Sequence, residues 1–176
     1  MAFSDSRMPV RRVLTLSLLV AMELALAALE SLFPPMIQIP GIKIGLANII
    51  TLTAFSLIRK REVFLVIVMR LILTGLVLGS FLTPVFWISG AGCLLSYVAM
   101  AISYGRGSVS IVGVSLLGAA AHNTGQLTAV SLMLGNQGAF YYLPWLLLWA
   151  VPMGLFTGVA ARSAISILDK SGLGKR

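Results

Sequence analysis

The sequence predicts an all-α integral membrane protein, one membrane domain over residues 1–176 folded as a bundle of six transmembrane helices. Three observations carry that prediction. Hydrophobic residues make up 59% of the chain and charged residues 10%, against about 25% charged in a soluble domain. The apolar residues fall into six segments, most of them close to the roughly 20 residues that cross a bilayer as a helix. The basic residues that bring the net charge to +8 gather between alternate segments and not on one face of a soluble fold, so the charge implies no nucleic acid.

The segments follow in order. The first covers about 13–33, begins after Arg7, Arg11 and Arg12, and stops at Pro34-Pro35. The second, about 44–58, is short and follows the irregular stretch Gln38-Ile39-Pro40-Gly41. Arg59-Lys60-Arg61 separates it from the third, about 63–82, and the fourth covers about 85–104. Arg106 precedes the fifth, about 109–134, and Lys170, Lys175 and Arg176 follow the sixth, about 142–168. The remaining connections hold one basic residue, Lys43. Excess Lys and Arg mark the cytoplasmic side, which puts both termini there, and Trp87, Tyr141, Tyr142 and Trp145 fall toward the opposite surface as an aromatic belt. The N-terminus also carries parts of a signal peptide, with Ala25-Leu26-Ala27 as a cleavage site. Glu23 interrupts its apolar run and apolar character continues to Phe33, which favours a retained helix. The chain has no internal repeat of the kind that builds carriers from inverted halves.

Charged groups inside apolar segments are costly and mark function by default. At about 100° per residue, Glu23 and Glu30 share one face of the first helix, while Ala21, Ala25 and Ala28 share the other. Small residues at that spacing let helices approach closely. Gly75 and Gly79 form a GxxxG pair in the third segment with Arg70 roughly opposite, and Gly154 and Gly158 make a similar face in the sixth, where Pro152 predicts a kink. In the fifth segment Ser115, Gly118, His122, Gln126 and Ala129 form a small and polar stripe. Counted from the cytoplasmic ends, Glu23, Arg70 and His122 reach about 12–20 Å into the bilayer. Glu23 and Arg70 are thus the natural ion pair. Glu30 and Lys43 lie near the outer surface, with Asn48, Asn123 and Gln126 between the layers. Each group also has a plainer role: the ion pair as a helix lock, His122, Asn123 and Gln126 as interhelical hydrogen-bond glue, Lys43 as a snorkelling side chain. Their convergence in facing and depth favours a ligand seat. Lys43 and Arg70 would attract carboxylate or phosphate and Glu30 or Glu23 a cationic end, so a small anionic or zwitterionic ligand is expected.

Enzyme chemistry is poorly supplied. The aspartates are Asp5 and Asp169, both outside the apolar segments, so no aspartate-rich motif is present to hold Mg²⁺ against an allylic diphosphate. His122 and Cys93, alone of their kinds and on different helices, do not make a metal site. A serine–histidine relay has only Glu23 as its acid. No catalysis, cofactor or metal is expected.

Three strings carry a family resemblance: Pro40-Gly41-Ile42-Lys43-Ile44-Gly45-Leu46-Ala47-Asn48-Ile49, Gly118-Ala119-Ala120-Ala121-His122-Asn123-Thr124-Gly125-Gln126, and Tyr141-Tyr142-Leu143-Pro144. With them the chain resembles, over nearly its whole length, the Gx transporter family, also labelled heptaprenyl diphosphate synthase component I. That family is similar to the substrate-binding S components of energy-coupling factor (ECF) importers, which take up vitamins in bacteria. The resemblance implies a six-helix bundle in the bacterial cytoplasmic membrane, with Ala21 and Ala25 docking to a transmembrane coupling subunit and two ATPase subunits completing the importer. It also implies an outward-facing pocket capped by the connection from Pro34 to Ile42, with Lys43, Asn48, His122, Asn123 and Gln126 as pocket residues. The synthase label implies a different role, that of a non-catalytic membrane accessory in isoprenoid or quinone synthesis.

Overall fold

A computed structural model describes residues 7–32 and 45–171, with side chains from residue 10 onward. Lys43 and the expected 34–42 cap lie outside the described residues. Among those residues every regular element is helical: α1 (Arg7–Ser31), α2 (Leu46–Leu57), α3 (Lys60–Val77), α4 (Pro84–Ser103), α5 (Ile111–Leu134) and α6 (Leu143–Lys170), with a 3₁₀ turn, Gln137–Tyr142, leading into α6.

The helix ends follow local chemistry. The amide of Arg59 donates to Glu62 Oε2 at 2.9 Å, closing the first turn of α3. Pro84 occupies the first turn of α4, where its missing N–H costs nothing. Ser110 caps α5, its Oγ accepting from the Gly113 amide at 3.1 Å. Gly135, at φ +60°, ends α5 in the left-handed conformation.

The end of α3 corrects one expectation. The helix stops at Val77, and Gly79 stands beyond it at φ +66°. The amides of Ser80 and Phe81 both donate to the Gly75 carbonyl, at 2.8 and 2.9 Å. Gly79 therefore terminates the helix and belongs to no GxxxG packing face; a glycine spacing alone does not separate the two uses. Gly75 itself lies against α4, where an added Cβ would sit 3.0 Å from the Phe86 ring.

Glycine sets the central packing. α5 lies between α4 and α6. A Cβ on Gly125 would meet the Ala91 carbonyl oxygen at 2.6 Å, and one on Gly158 would meet Val112 Cα at 2.8 Å. Backbones approach this closely only where side chains are absent. α2 touches α1, α3, α5 and α6, and Thr51 through Ser56 are all buried. At 12 residues it is about 18 Å long.

The exterior is apolar. Leu14, Leu18, Val77, Leu132, Leu148 and Val159 are among many large hydrophobics exposed, a surface that water would not tolerate over so wide an area. Three helical stretches are long and apolar enough to cross a membrane: Val10–Ser31, Pro84–Ser103 and Gln137–Lys170. The others fall short for identifiable reasons. α2 is too short, α3 carries Lys60, Arg61, Glu62 and Arg70, and α5 is diluted by its polar stripe.

Candidate functional site

The polar groups meet where α1, α2, α3, α4 and α5 converge. Glu23 on α1 is 0% exposed. Its Oε1 accepts from Thr51 Oγ1 on α2 at 2.5 Å, and its Oε2 lies 3.4 Å from Arg70 Nε on α3. The contact brings opposite charges together without a hydrogen bond, because Oε2 has no hydrogen-bond partner. Arg70 continues outward, with Nη2 donating to Cys93 Sγ on α4 at 3.1 Å. Carboxylate, guanidinium and thiol thus form a chain across three helices.

Beside that chain lies a small pocket lined by Asn48, Thr51, Ile67, Arg70, Cys93, Ser96, Met100 and His122. It offers water-sized occupants about 10 Å³, roughly the space of one water-sized group. His122 reaches it from α5 by packing on Gly92, where an added Cβ would sit 2.9 Å from His122 Cε1. Absence of a side chain at position 92 is what lets the imidazole approach α4. Ser96 is buried, and its Oγ has no hydrogen-bond partner.

Of the residues singled out in the sequence, Asn48, Arg70 and His122 line this pocket, with Glu23 bound behind Arg70. Gln126 is buried one turn beyond His122, its Cγ against Gly92 and its Oε1 without a hydrogen-bond partner. Asn123 points elsewhere: its Nδ2 donates to the Leu146 carbonyl on α6 at 2.9 Å. Glu30 is also engaged outside the pocket, its Oε1 accepting from the Gly45 amide at 2.6 Å, which ties the end of α1 to the start of α2. Lys43 lies outside the described residues. Ala21 and Ala25 are exposed on the outer face of α1.

Thr51, Cys93 and Ser96 did not stand out in the sequence. Hydroxyls in apolar helices usually bond back to their own backbone, as Thr53 does to Ile49 at 2.8 Å, so they carry no visible cost. The signal was spacing. Thr51 is three residues from Asn48, and Ser96 three from Cys93, so each pair shares a helix face.

The fold and this centre define an all-helical, multi-pass membrane protein with a polar core enclosed by apolar helices. The chain belongs to the heptaprenyl diphosphate synthase component I family, which it matches over residues 19–164. That range contains the whole polar centre. No curated protein and no solved structure matches it. The family bears out the resemblance read from the sequence, and its name speaks more directly for the accessory role than for import.

Proposed function

We propose that this chain is a non-catalytic, ligand-binding subunit of a bacterial inner-membrane assembly, crossing the membrane six times with both termini in the cytoplasm. The observation that carries the reading is the gathering of Asn48, Arg70, Ser96 and His122, from four different helices, around one pocket. A packing lock needs two complementary groups; four helices each contributing a polar side chain to one small space suits recognition.

The family name supports heptaprenyl diphosphate synthase as the assembly, with this chain as its membrane accessory in isoprenoid-quinone biosynthesis. The paucity of aspartate supports leaving allylic transfer itself to another subunit. A second reading, the substrate-binding subunit of an ECF-type importer with coupling and ATPase partners, draws on the family resemblance and on the exposed Ala21 and Ala25. Small residues open to the outside of a helix suit close docking of a partner helix.

Affinity purification from native membranes, followed by mass spectrometry of both proteins and small molecules, tests these readings. Recovery with a prenyl synthase subunit supports the accessory role; recovery with ATPase and coupling subunits supports import. If Arg70→Gln and His122→Ala fold in normal yield and retain the same copurifying small molecule in the same amount, the pocket is not a ligand seat.

A further inference from the structure

We propose that the pocket receives a neutral carbonyl oxygen, from an amide, lactam or quinone type of ligand, and discriminates against carboxylates and phosphates. This rests on the reading of the pocket as a ligand seat, and it departs from the anionic ligand that the sequence suggests.

Charge comes first. Arg70 is the one Lys or Arg lining the pocket among the described residues, and its charge is already matched by Glu23 at 3.4 Å. Glu23 cannot turn away to water, being 0% exposed and held by Thr51. An incoming anion would be a second negative charge set against one positive charge, in surroundings where an unmatched charge is costly. A neutral ligand incurs no such cost.

Hydrogen bonding then selects the neutral group. A guanidinium carries five N–H donors. Here Nε faces Glu23 and Nη2 gives one hydrogen to Cys93 Sγ, a weak acceptor. The remaining Nη donors have no partner among the described residues. Ser96, 2% exposed and facing the same space, holds a hydroxyl whose oxygen has no hydrogen-bond partner. Arg70 and Ser96 thus present unclaimed donors to the pocket, which suit an acceptor atom on the ligand. The pocket's volume of about 10 Å³ admits a single oxygen-sized tip, where a phosphate would need room for several oxygens, and Ile67 and Met100 provide apolar walls for the carbon behind it.

Acetamide and sodium acetate, a matched neutral and anionic pair, test the assignment on the full-length chain in detergent, by thermal stability at constant ionic strength. Acetamide is expected to stabilise the wild type at a half-saturating concentration at least tenfold below that of acetate. Arg70→Gln and Ser96→Ala should each weaken the acetamide response severalfold. Glu23→Gln leaves Arg70 uncompensated and should reverse the order in favour of acetate. If Glu23→Gln does not fold, the uncharged pair Glu23→Gln/Arg70→Gln should keep a response to acetamide and show none to acetate. Acetate acting as well as acetamide on the wild type, or failing to overtake it in Glu23→Gln, overturns the carbonyl assignment and leaves the seat standing. No response to either compound, in wild type or variant, removes the seat itself.

Discussion

A carboxylate at position 23 is tolerable only because of what surrounds it. Its two oxygens have different neighbours, the Thr51 hydroxyl and the Arg70 guanidinium, and removing either leaves a charge facing apolar side chains. Breaking a buried pair typically costs 3–5 kcal/mol, whereas replacing both partners with well-packed apolar residues is often neutral. Glu23→Ala is therefore expected to destabilise the protein by about 3 kcal/mol or more, while Glu23→Met/Arg70→Leu recovers most of the loss. Thermal unfolding of the two variants in one detergent measures the difference. A double variant as unstable as the single one would mean that the charges contribute to folding through something other than each other. A double variant that folds well but no longer retains the wild-type small molecule would separate recognition from stability, which is the outcome the proposed seat requires. Asn123 gives the contrasting case. Its bond to Leu146 has the form of interhelical glue, averaging about 0.6 kcal/mol per hydrogen bond in membrane helices, so Asn123→Ala should change stability slightly and ligand retention not at all.

The helices are placed by what they leave out. Along the α4–α5 seam Gly92 admits the His122 ring and Gly125 admits the Ala91 carbonyl. A methyl at Gly125 would stand 2.6 Å from backbone oxygen, which yields only if a helix moves. Overpacking usually costs about 1–3 kcal/mol, and Gly125→Ala is expected at or above the top of that range. Gly92→Ala should cost less, since a ring and a flexible side chain stand in the way, but it should weaken ligand retention by displacing His122. Equal effects of the two substitutions on retention and stability would contradict this division. A second junction ties α1 to α3, where Arg12 pairs with Glu62, just ahead of the third apolar segment. Partial burial by itself would raise the Glu62 carboxyl, but the Arg59 amide and the Arg12 guanidinium outweigh it and hold the group below its ordinary value of 4.5. A depressed carboxyl stabilises the fold fully above the unfolded value and loses that contribution as pH falls through the folded one. Acidification below about pH 4.5 should therefore loosen the α1–α3 junction in wild type, read as faster amide exchange in the first turns of both helices. Glu62→Gln should lack that pH step. Of these devices, the glycines at 154 and 158 were legible as a packing face, because both lie mid-helix. Gly79 was not, since a helix-ending glycine and a packing glycine have the same spacing and differ only in backbone conformation.

Taken as a bundle, the chain was legible where burying polarity is expensive and illegible where it is cheap. The six apolar segments correspond in order to α1 through α6, and Glu23, Arg70 and His122 drew attention because a charged or strongly polar group is rarely kept in an apolar helix without a role. Thr51 and Ser96 are as close to the pocket, yet a hydroxyl can always return its hydrogen to the preceding turn, and the one mark the linear pattern gives them is a three-residue spacing from Asn48 and Cys93. Which helices cross the bilayer is a separate matter. α2 is about 18 Å long against a hydrocarbon core of roughly 30 Å, and α3, at 18 residues, gives about 27 Å. Six crossings therefore depend on α3 carrying its start, at Lys60, and its end, before Ser80, to opposite surfaces. Single cysteines at Ser80, Gly107, Asn136 and Ser171 test this directly, because the native Cys93 is buried and stays silent to an impermeant maleimide. Ser80→Cys and Asn136→Cys should label in intact cells, and Gly107→Cys and Ser171→Cys only in inverted vesicles. The basic residues around positions 106 and 170 would then face the cytoplasm, as the positive-inside rule demands. If Ser80→Cys instead labels from the same side as Gly107→Cys, α3 and α4 do not both cross, and the bundle would sit deeper in one leaflet with its polar pocket closed to the outer surface.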